Sequence, residues 1–404
     1  MSLSATTTIR RATLCLTLFI IFSYVACIPY AAQKIGDFSH IWAGARALAT
    51  GAGSRLYDPS LHHELLNQTK LPREDIWYPR NDTLGVFFYP PQAALVYAPL
   101  ALLPLADAQV VQAVVNVLLI LVCGALLSRY LIPSSWATLS LLMAPPVFVS
   151  FVLGQNGIFS LAVVLGALAL QSHQRNAYAG LVLSLLVYKP TWLLSAFCLI
   201  VGPGIVPAAL GLLGGALALT GLTSSYTGWS VFSTYAELSS QIARIHQLPH
   251  YSHNTQSSTA GLWRSLVGDT DLAFGIFLLT SLLACLSVIR MNFIRHKDGP
   301  LNALGPLREA VALSAAAAIN PHVHHYDTCV LWTAIVVATS LKVSSPLLRT
   351  AHVAVLLSCV CAFFIPLRTL EPAVAPALAA LLLCGWLLFL STCCISARPR
   401  EGIE

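Results

Sequence analysis

The apolar positions of this chain come in long blocks, not in alternation. Uninterrupted runs at 13–32, 108–128, 204–222, 272–289, 351–367 and 373–394 have the roughly 17 to 25 residues that an α-helix needs to cross a bilayer. Shorter apolar helices are predicted at 309–320 and 325–341, and the proline-flanked stretch 91–104 either dips in and returns or crosses. Lys189-Pro190 interrupts the apolar stretch 177–200 and predicts a break there, because proline removes a backbone donor and clashes with the preceding turn. Two polar segments, 34–84 and 224–270, separate the runs. The first predicts an amphipathic helix over 38–50 stopped by Gly51 and Gly53, then a turn at Leu56-Tyr57-Asp58-Pro59 that opens a second short helix. The pattern predicts an all-α polytopic membrane protein of about 10 to 13 transmembrane helices, a single transmembrane domain over 1–404 with two larger loops.

Composition agrees. Hydrophobic residues make up 57% of the chain and charged ones 9%, against roughly 25% charged in soluble domains, so the charges cannot coat a water-facing surface of this size. The net charge of +6 is no nucleic-acid signal, since the basic residues sit at helix ends and orient the protein. Arg10-Arg11, the group Arg290, Arg295, Lys297 and Arg308, the pair Lys342 and Arg349, and Arg398 with Arg400 are all placed in the cytoplasm by that rule. Loops 34–84 and 224–270 and the segment near 320–326 then lie outside. Arg129 and the His173/Arg175 connection look cytoplasmic, which puts Gly154-Gln155-Asn156 outside if 91–104 returns. All eleven cysteines fall in apolar stretches without a Cys-x-x-Cys, which argues against a disulfide framework or a zinc site. The N-terminal run reads as a retained first helix.

The candidate chemistry gathers at helix ends. Asp37, in Gly36-Asp37-Phe38-Ser39, is either an N-cap or a carboxylate placed as a general base, and the two roles are compatible. Asn320-Pro321-His322-Val323-His324-His325-Tyr326-Asp327 places three imidazoles and an acid where lipid contact is costly. His322 and His325 share a face if this segment is helical, with hydrogen bonding to substrate, metal chelation or a plain interfacial location as alternatives. Lys189 either snorkels to the interface or pairs with an anion such as a phosphate. Tyr89-Pro90-Pro91 reads as a turn with a candidate contact residue, and Gln155 and Asn156 as polar punctuation. Loop 224–270, with Asn254, Arg264 and many aromatics, suits sugar or headgroup binding as well as an interfacial belt. Asn67-Gln68-Thr69 and Asn81-Asp82-Thr83 are formal glycosylation sequons of low specificity.

The order of these motifs carries a resemblance. Asp37-Phe38 opens a helix through Ala43-Gly44-Ala45-Arg46; Leu56-Tyr57-Asp58-Pro59 follows, then Phe88-Tyr89-Pro90-Pro91 running to Pro104. Gly154-Gln155-Asn156, Ala179-Gly180-Leu181 with Tyr188-Lys189-Pro190, and Pro321 to Tyr326-Asp327 complete it. Over roughly 35–330 the chain resembles the family 87 glycosyltransferases of the GT-C superfamily. The resemblance implies a GT-C-type bundle and inverting transfer of a hexose, typically mannose. The implied partners are a polyprenyl-phosphate sugar donor, a lipid or glycan acceptor and membrane lipids, with no nucleic acid, no cofactor and no required metal. The implied location is a bacterial plasma membrane, with the active site on its outer side. The first-loop aspartate maps onto Asp37 as catalytic base, and a late histidine onto His322, His324 or His325; Asn320 stands where the family would have serine. We therefore expect Asp37, His322 and His325 to be catalytic, and Lys189, Arg46, Tyr89, Gln155, Asn254, Arg264, His324, Tyr326 and Asp327 to bind substrate. A transporter or flippase of lipid-linked sugars is the alternative; it predicts paired intramembrane charges and repeat symmetry, where the sequence has a lone Lys189 and no clear repeat. A non-catalytic scaffold is the third reading.

Overall fold

The computed structural model describes residues 3–33, 36–69, 87–132, 136–202, 204–245, 257–268, 270–297, 305–341, 343, 345–364 and 374–396. Among these the secondary structure is helical, without a strand. The chain forms two compact units.

The first unit comprises Met1–Tyr130, Ser134–Leu193 and Val206–His253. It opens with α1 (Leu3–Ala26), α2 (Ile28–Gln33) and α3 (Gly36–Ala49). The amphipathic helix predicted at 38–50 is α3, and it stops where expected. Gly51 takes φ +80° and donates to the Leu48 carbonyl, and Ala52 donates to Ala47, a left-handed ending that glycine adopts without a Cβ penalty. Asp58 then caps α4 (Pro59–Asn67), accepting from the Ser60 N–H, with proline in the first turn.

Segment 91–104 resolves into α5 (Pro91–Ala101) and a turn. Eleven residues rise about 16 Å, half of a hydrocarbon core of about 30 Å, so α5 cannot cross alone. It packs on α3, where Arg46 donates to Ala101 O at 2.8 Å and Trp42 to Leu103 O at 3.1 Å. A long helix, α6 (Leu105–Leu126), follows and ends in a π turn at Leu127–Leu131.

Two short helices, α7 (Trp136–Leu142) and α8 (Pro145–Val152), lead to α9 (Gly157–Ser172) and α10 (Asn176–Leu183), the latter continued by a 3₁₀ turn over Ser184–Tyr188. α9 and α10 form an antiparallel hairpin. Its turn has Gln174 at φ 59° and an Arg175 N–H bonded to Leu170 O. Gly166 faces Val182 midway, and Ser160 meets Tyr188 at 2.5 Å near the open end. The closed end carries His173, which packs edge-on against Tyr130 at 5.3 Å, just after Arg129.

The predicted break at Lys189-Pro190 is present: Lys189 leaves helical geometry at φ −141°, ψ 84°, and α11 (Thr191–Ile200) starts anew. The break also reverses the chain. Gly180 of α10 lies against the Ala208 carbonyl, Gly211 against Ala177 and Gly215 against Ser184, so α12 (Ile205–Thr227) runs parallel to α10. Sequential parallel helices need a return path, which the chain between them must supply. Beyond Gly228, at φ +80°, α13 (Ser230–Ile245) occupies part of the polar stretch predicted as a loop.

The second unit comprises Leu131–Pro133, Leu194–Ile205 and Asn254–Glu404. It contains α14 (Thr259–Val267), α15 (Asp271–Lys297), α16 (Gly305–Ile319), a 3₁₀ turn at His325–Thr328, α17 (Cys329–Thr339), α18 (Pro346–Phe364) and α19 (Val374–Ser396). α16 is central and buried along its length. The α11 segment of this unit runs against it: Ser195 donates to Ala316 O at 2.7 Å, while Gly202 sits against the Asn292 side chain near Arg308.

Six of the described helices are long and apolar enough to cross a membrane. They display apolar rows to the outside, such as Leu210, Leu213 and Leu217 on α12 and Leu278, Leu282 and Leu286 on α15. In water such rows would forfeit about 25 cal/mol per Å² of apolar surface left unburied; against lipid tails they are at rest. This is an integral membrane protein. The nine cysteines whose side chains are described are free.

Candidate functional site

In the first unit two polar interruptions, separated in sequence, meet at the open end of the α9/α10 hairpin. Gln155 and Asn156 precede α9, and Tyr188-Lys189 follow α10. Because the hairpin is antiparallel, both pairs emerge at one end. Tyr188 links them: its hydroxyl meets Ser160 Oγ and donates to the Asn156 carbonyl at 3.2 Å. Ser150 Oγ donates to the Gln155 carbonyl and accepts from the Ile158 N–H, which satisfies the backbone between α8 and α9.

The same corner touches the start of α3. Gly154 has φ +63°, and a Cβ there would sit 3.0 Å from the Phe38 Cβ. Phe38 is buried and meets the Tyr97 ring at 6.3 Å. Asp37 immediately precedes Phe38 in the first turn of α3; for Asp37 itself only the backbone is described. The fold thus brings the Gly154-Gln155-Asn156 turn and the Tyr188-Lys189 reversal to the helix turn that carries Asp37. Lys189 is 7% exposed. Asn156 is fully buried, and neither its amide nitrogen nor its amide oxygen has a hydrogen-bond partner. Lys189, Gln155 and Asn156 thus stand beside the helix turn that carries Asp37, and a cation, two amides and an acid are the residue types that bind a phosphorylated, hydroxyl-rich ligand and move a proton.

Arg46 lies elsewhere. Nine residues past Asp37, it stands about 13 Å further along α3 and donates to the Ala101 and Leu102 carbonyls. Tyr89 contributes to an aromatic cluster by its backbone, accepting from the Tyr57 hydroxyl at 2.7 Å. The Tyr57 ring stacks on Tyr235 of α13 at 6.0 Å, beside Phe87, which lies over Gly44. Burial, reinforced by Tyr235, pushes the Tyr57 hydroxyl well above its usual pKa, so it stays a neutral donor. Tyr57, Tyr188, Tyr235 and Asn156 were not among the expected site residues. Tyr57, Asn156 and Tyr188 stand within short motifs of the sequence, but only the hairpin and the pairing of loops give them a place at the site.

The second unit holds the histidine cluster. A helical stretch over 322–325 is not what forms. His324 is an extended N-cap at φ −89°, ψ 166°, and the 3₁₀ turn begins at His325. Pro321 and the capping carboxylate of Asp327, which accepts from the His324 N–H at 3.0 Å, explain the late start. His322 and His325 therefore do not share a helix face. His322 pairs instead with His324, Nε2 to Nε2 at 3.1 Å, and His324 stacks on Tyr326. A single proton can lie between two such nitrogens, so the pair does not carry two charges. His325 turns to Phe363 at 6.0 Å, and burial lowers its pKa. Asn320 accepts from the His322 N–H, and Asp327 is buried. The start of α14 docks here through Ser257 N–H to Val323 O and Thr259 to Ala318 O, while Arg264 lies in the last turn of α14. Asn254 falls outside the described residues. Among the described residues no three His, Cys, Asp or Glu side chains are grouped to hold a metal.

Residues 87–313 match the family described as glycosyltransferase family 87. The matched span contains Tyr89, Gln155, Lys189 and Arg264; Asp37, Arg46 and 320–327 lie beyond its ends. No curated protein and no solved structure matches the chain.

Proposed function

This chain belongs to glycosyltransferase family 87, matched over more than half of its length, and from that premise we propose that it moves a hexose, mannose being the expected one, from a polyprenyl-phosphate donor to a lipid or glycan hydroxyl on the non-cytoplasmic face. The observation that carries the reading is the convergence of Gln155, Asn156 and Lys189 on the first turn of α3, where Asp37 stands. Asp37 takes the proton of the acceptor hydroxyl as its oxygen attacks the anomeric carbon. The new C–O bond forms as the bond to the phosphate oxygen breaks, with inversion, and polyprenyl phosphate leaves with the electron pair. Lys189 offsets the charge that gathers on that phosphate. The leaving group is already stable as an anion, so the step needs neither a strong general acid nor a metal.

The outer location rests on charge. Arg129, His173 and Arg175 cluster at the closed end of the hairpin. The 16 residues of α9 separate that end from Gln155 by about 24 Å. If the basic end faces the cytoplasm, the corner with Gln155 and Lys189 faces the other side.

The test uses membranes bearing wild type or Asp37→Asn, supplied with labelled polyprenyl-phosphate mannose and candidate acceptors. A drop of roughly 10²–10⁴-fold in transfer is expected for loss of a general base, with wild-type activity unchanged by a chelator. Full activity in the Asn variant would sink the assignment. Movement of the lipid-linked sugar across the membrane without transfer would favour a flippase instead.

A further inference from the structure

The second unit has a feature that sugar transfer does not use. A groove of about 710 Å³ runs along α18 beside the end of α17, lined by Ile335 of α17, Val343 of the linker, and Arg349, Leu356 and Val360 of α18. Its wall is apolar apart from its upper end, where Arg349 stands in the first turn of α18. The Arg349 Nε donates to the Val343 carbonyl at 3.2 Å, which fixes the base of the guanidinium and leaves its two terminal nitrogens as the forked donor pair suited to a phosphate. Among the described lining residues the other titratable one, His352, is committed. Its Nδ1 accepts from Trp386 Nε1 at 2.9 Å and its Nε2 meets Ala338 O at 3.0 Å, so both ring nitrogens are engaged. Among the described lining residues Arg349 carries the one permanent charge, at one end.

The dimensions fit one leaflet. Arg349 to Val360 is eleven residues along α18, about 16 Å, and half of a hydrocarbon core of about 30 Å is about 15 Å. The helix N-terminus adds positive potential at the arginine end. That end, with Lys342 next to it in sequence, is the one that the positive-inside rule puts at the cytoplasmic surface.

We propose that this groove is a binding site for an anionic phospholipid of the cytoplasmic leaflet, its phosphate on Arg349 and one acyl chain lying along α18 to the level of Val360. The occupant is a bulk membrane lipid and is distinct from the sugar donor, whose corner lies in the first unit.

The experiment is native mass spectrometry of the full-length protein released from mixed micelles holding equal amounts of phosphatidylglycerol and phosphatidylcholine of identical chains. Wild type should retain phosphatidylglycerol over phosphatidylcholine by roughly fivefold, the preference that one basic residue gives at an anionic surface. Arg349→Gln should abolish that preference while still retaining lipid, and Arg349→Lys should keep part of it. Leu356→Trp, which fills the groove, should reduce retention of both lipids. Equal retention of the two lipids by wild type, or an unchanged preference in Arg349→Gln, would overturn the proposal. The readout is independent of sugar transfer, so its failure is separable from failure of the Asp37 assignment.

Discussion

At the scale of single residues the corner near Asp37 shows signs of function held against stability. An asparagine with both amide atoms buried and unpartnered, as at Asn156, costs roughly 1–3 kcal/mol relative to a satisfied one. Asn156→Ala should therefore leave the melting temperature unchanged or raise it while lowering kcat/KM. A melting temperature that falls by several degrees with activity intact would reduce Asn156 to a packing residue. Gly154→Ala should behave differently. Its φ of +63° and the 3.0 Å approach to Phe38 make any side chain strained, so stability should fall by about 1 kcal/mol or more together with transfer, which thermal unfolding and the sugar assay read side by side. Sequence alone singled out Asp37, Gln155 and Lys189 because polar residues stand out against apolar runs. It could not rank His322, His324 and His325, because which imidazoles pair depends on Asp327 holding the turn back to His325. Sequence proximity also says little about Arg46: nine residues past Asp37, it stands about two and a half turns further along α3 and donates to two carbonyls.

At the scale of elements the glycine contacts of α10 and α12 decide the path of the chain. Gly211 abuts the Ala177 carbonyl, whereas Gly214, on the same helix, has nothing within 4 Å of a Cβ. Close backbone approach through small residues is how membrane helices pack without a hydrophobic drive between them. Gly211→Ala should lower stability by about 1–3 kcal/mol, the usual cost of overpacking, and Gly214→Ala should be silent; equal effects in detergent unfolding would refute the parallel pairing. The first loop should also be acid-labile. Burial pushes His62 down to about 4, so between its ordinary value near 6.5 and 4 the unfolded chain binds the proton and the folded one does not; stability falls as pH falls through that window. Asp58 is held at about 2 by its hydrogen bonds from Ser60 and then Arg55. Its contribution is present above about pH 4 and lost toward pH 2, in a weakened form because the pair is solvent-screened. Protection factors of the α4 amides, referred to the intrinsic exchange rate at each pH, should fall from pH 6.5 to 4, and His62→Phe should flatten that fall. The helices were legible in sequence from their apolar runs and caps. The reversal at α11 was not, because proline announces a break while only the facing glycines say that the chain turns back.

At the scale of the whole molecule that reversal repairs the topology of 91–200. Sequence left open whether 91–104 crosses, since a short proline-flanked run can do either. The structure pins α5 to α3 by Arg46 and Trp42, makes α9 and α10 a hairpin and sets α12 parallel to α10, so α10 and α12 leave from the same end of the first unit. The turn at Gln174 and the exit of α12 at Trp229 then lie at opposite ends of that unit, whichever way it sits in the bilayer. Under the positive-inside rule the basic end of the hairpin is expected in the cytoplasm. In intact cells a membrane-impermeant thiol reagent should label Trp229→Cys above the background of the native cysteines, and should label Gln174→Cys only once the membrane is permeabilised. Labelling of both from one side would contradict the parallel arrangement of α10 and α12 itself. Labelling with the sides exchanged would keep the fold but move the corner formed by Gln155, Lys189 and the start of α3 to the cytoplasmic face, and the donor's sugar would then have to be presented there.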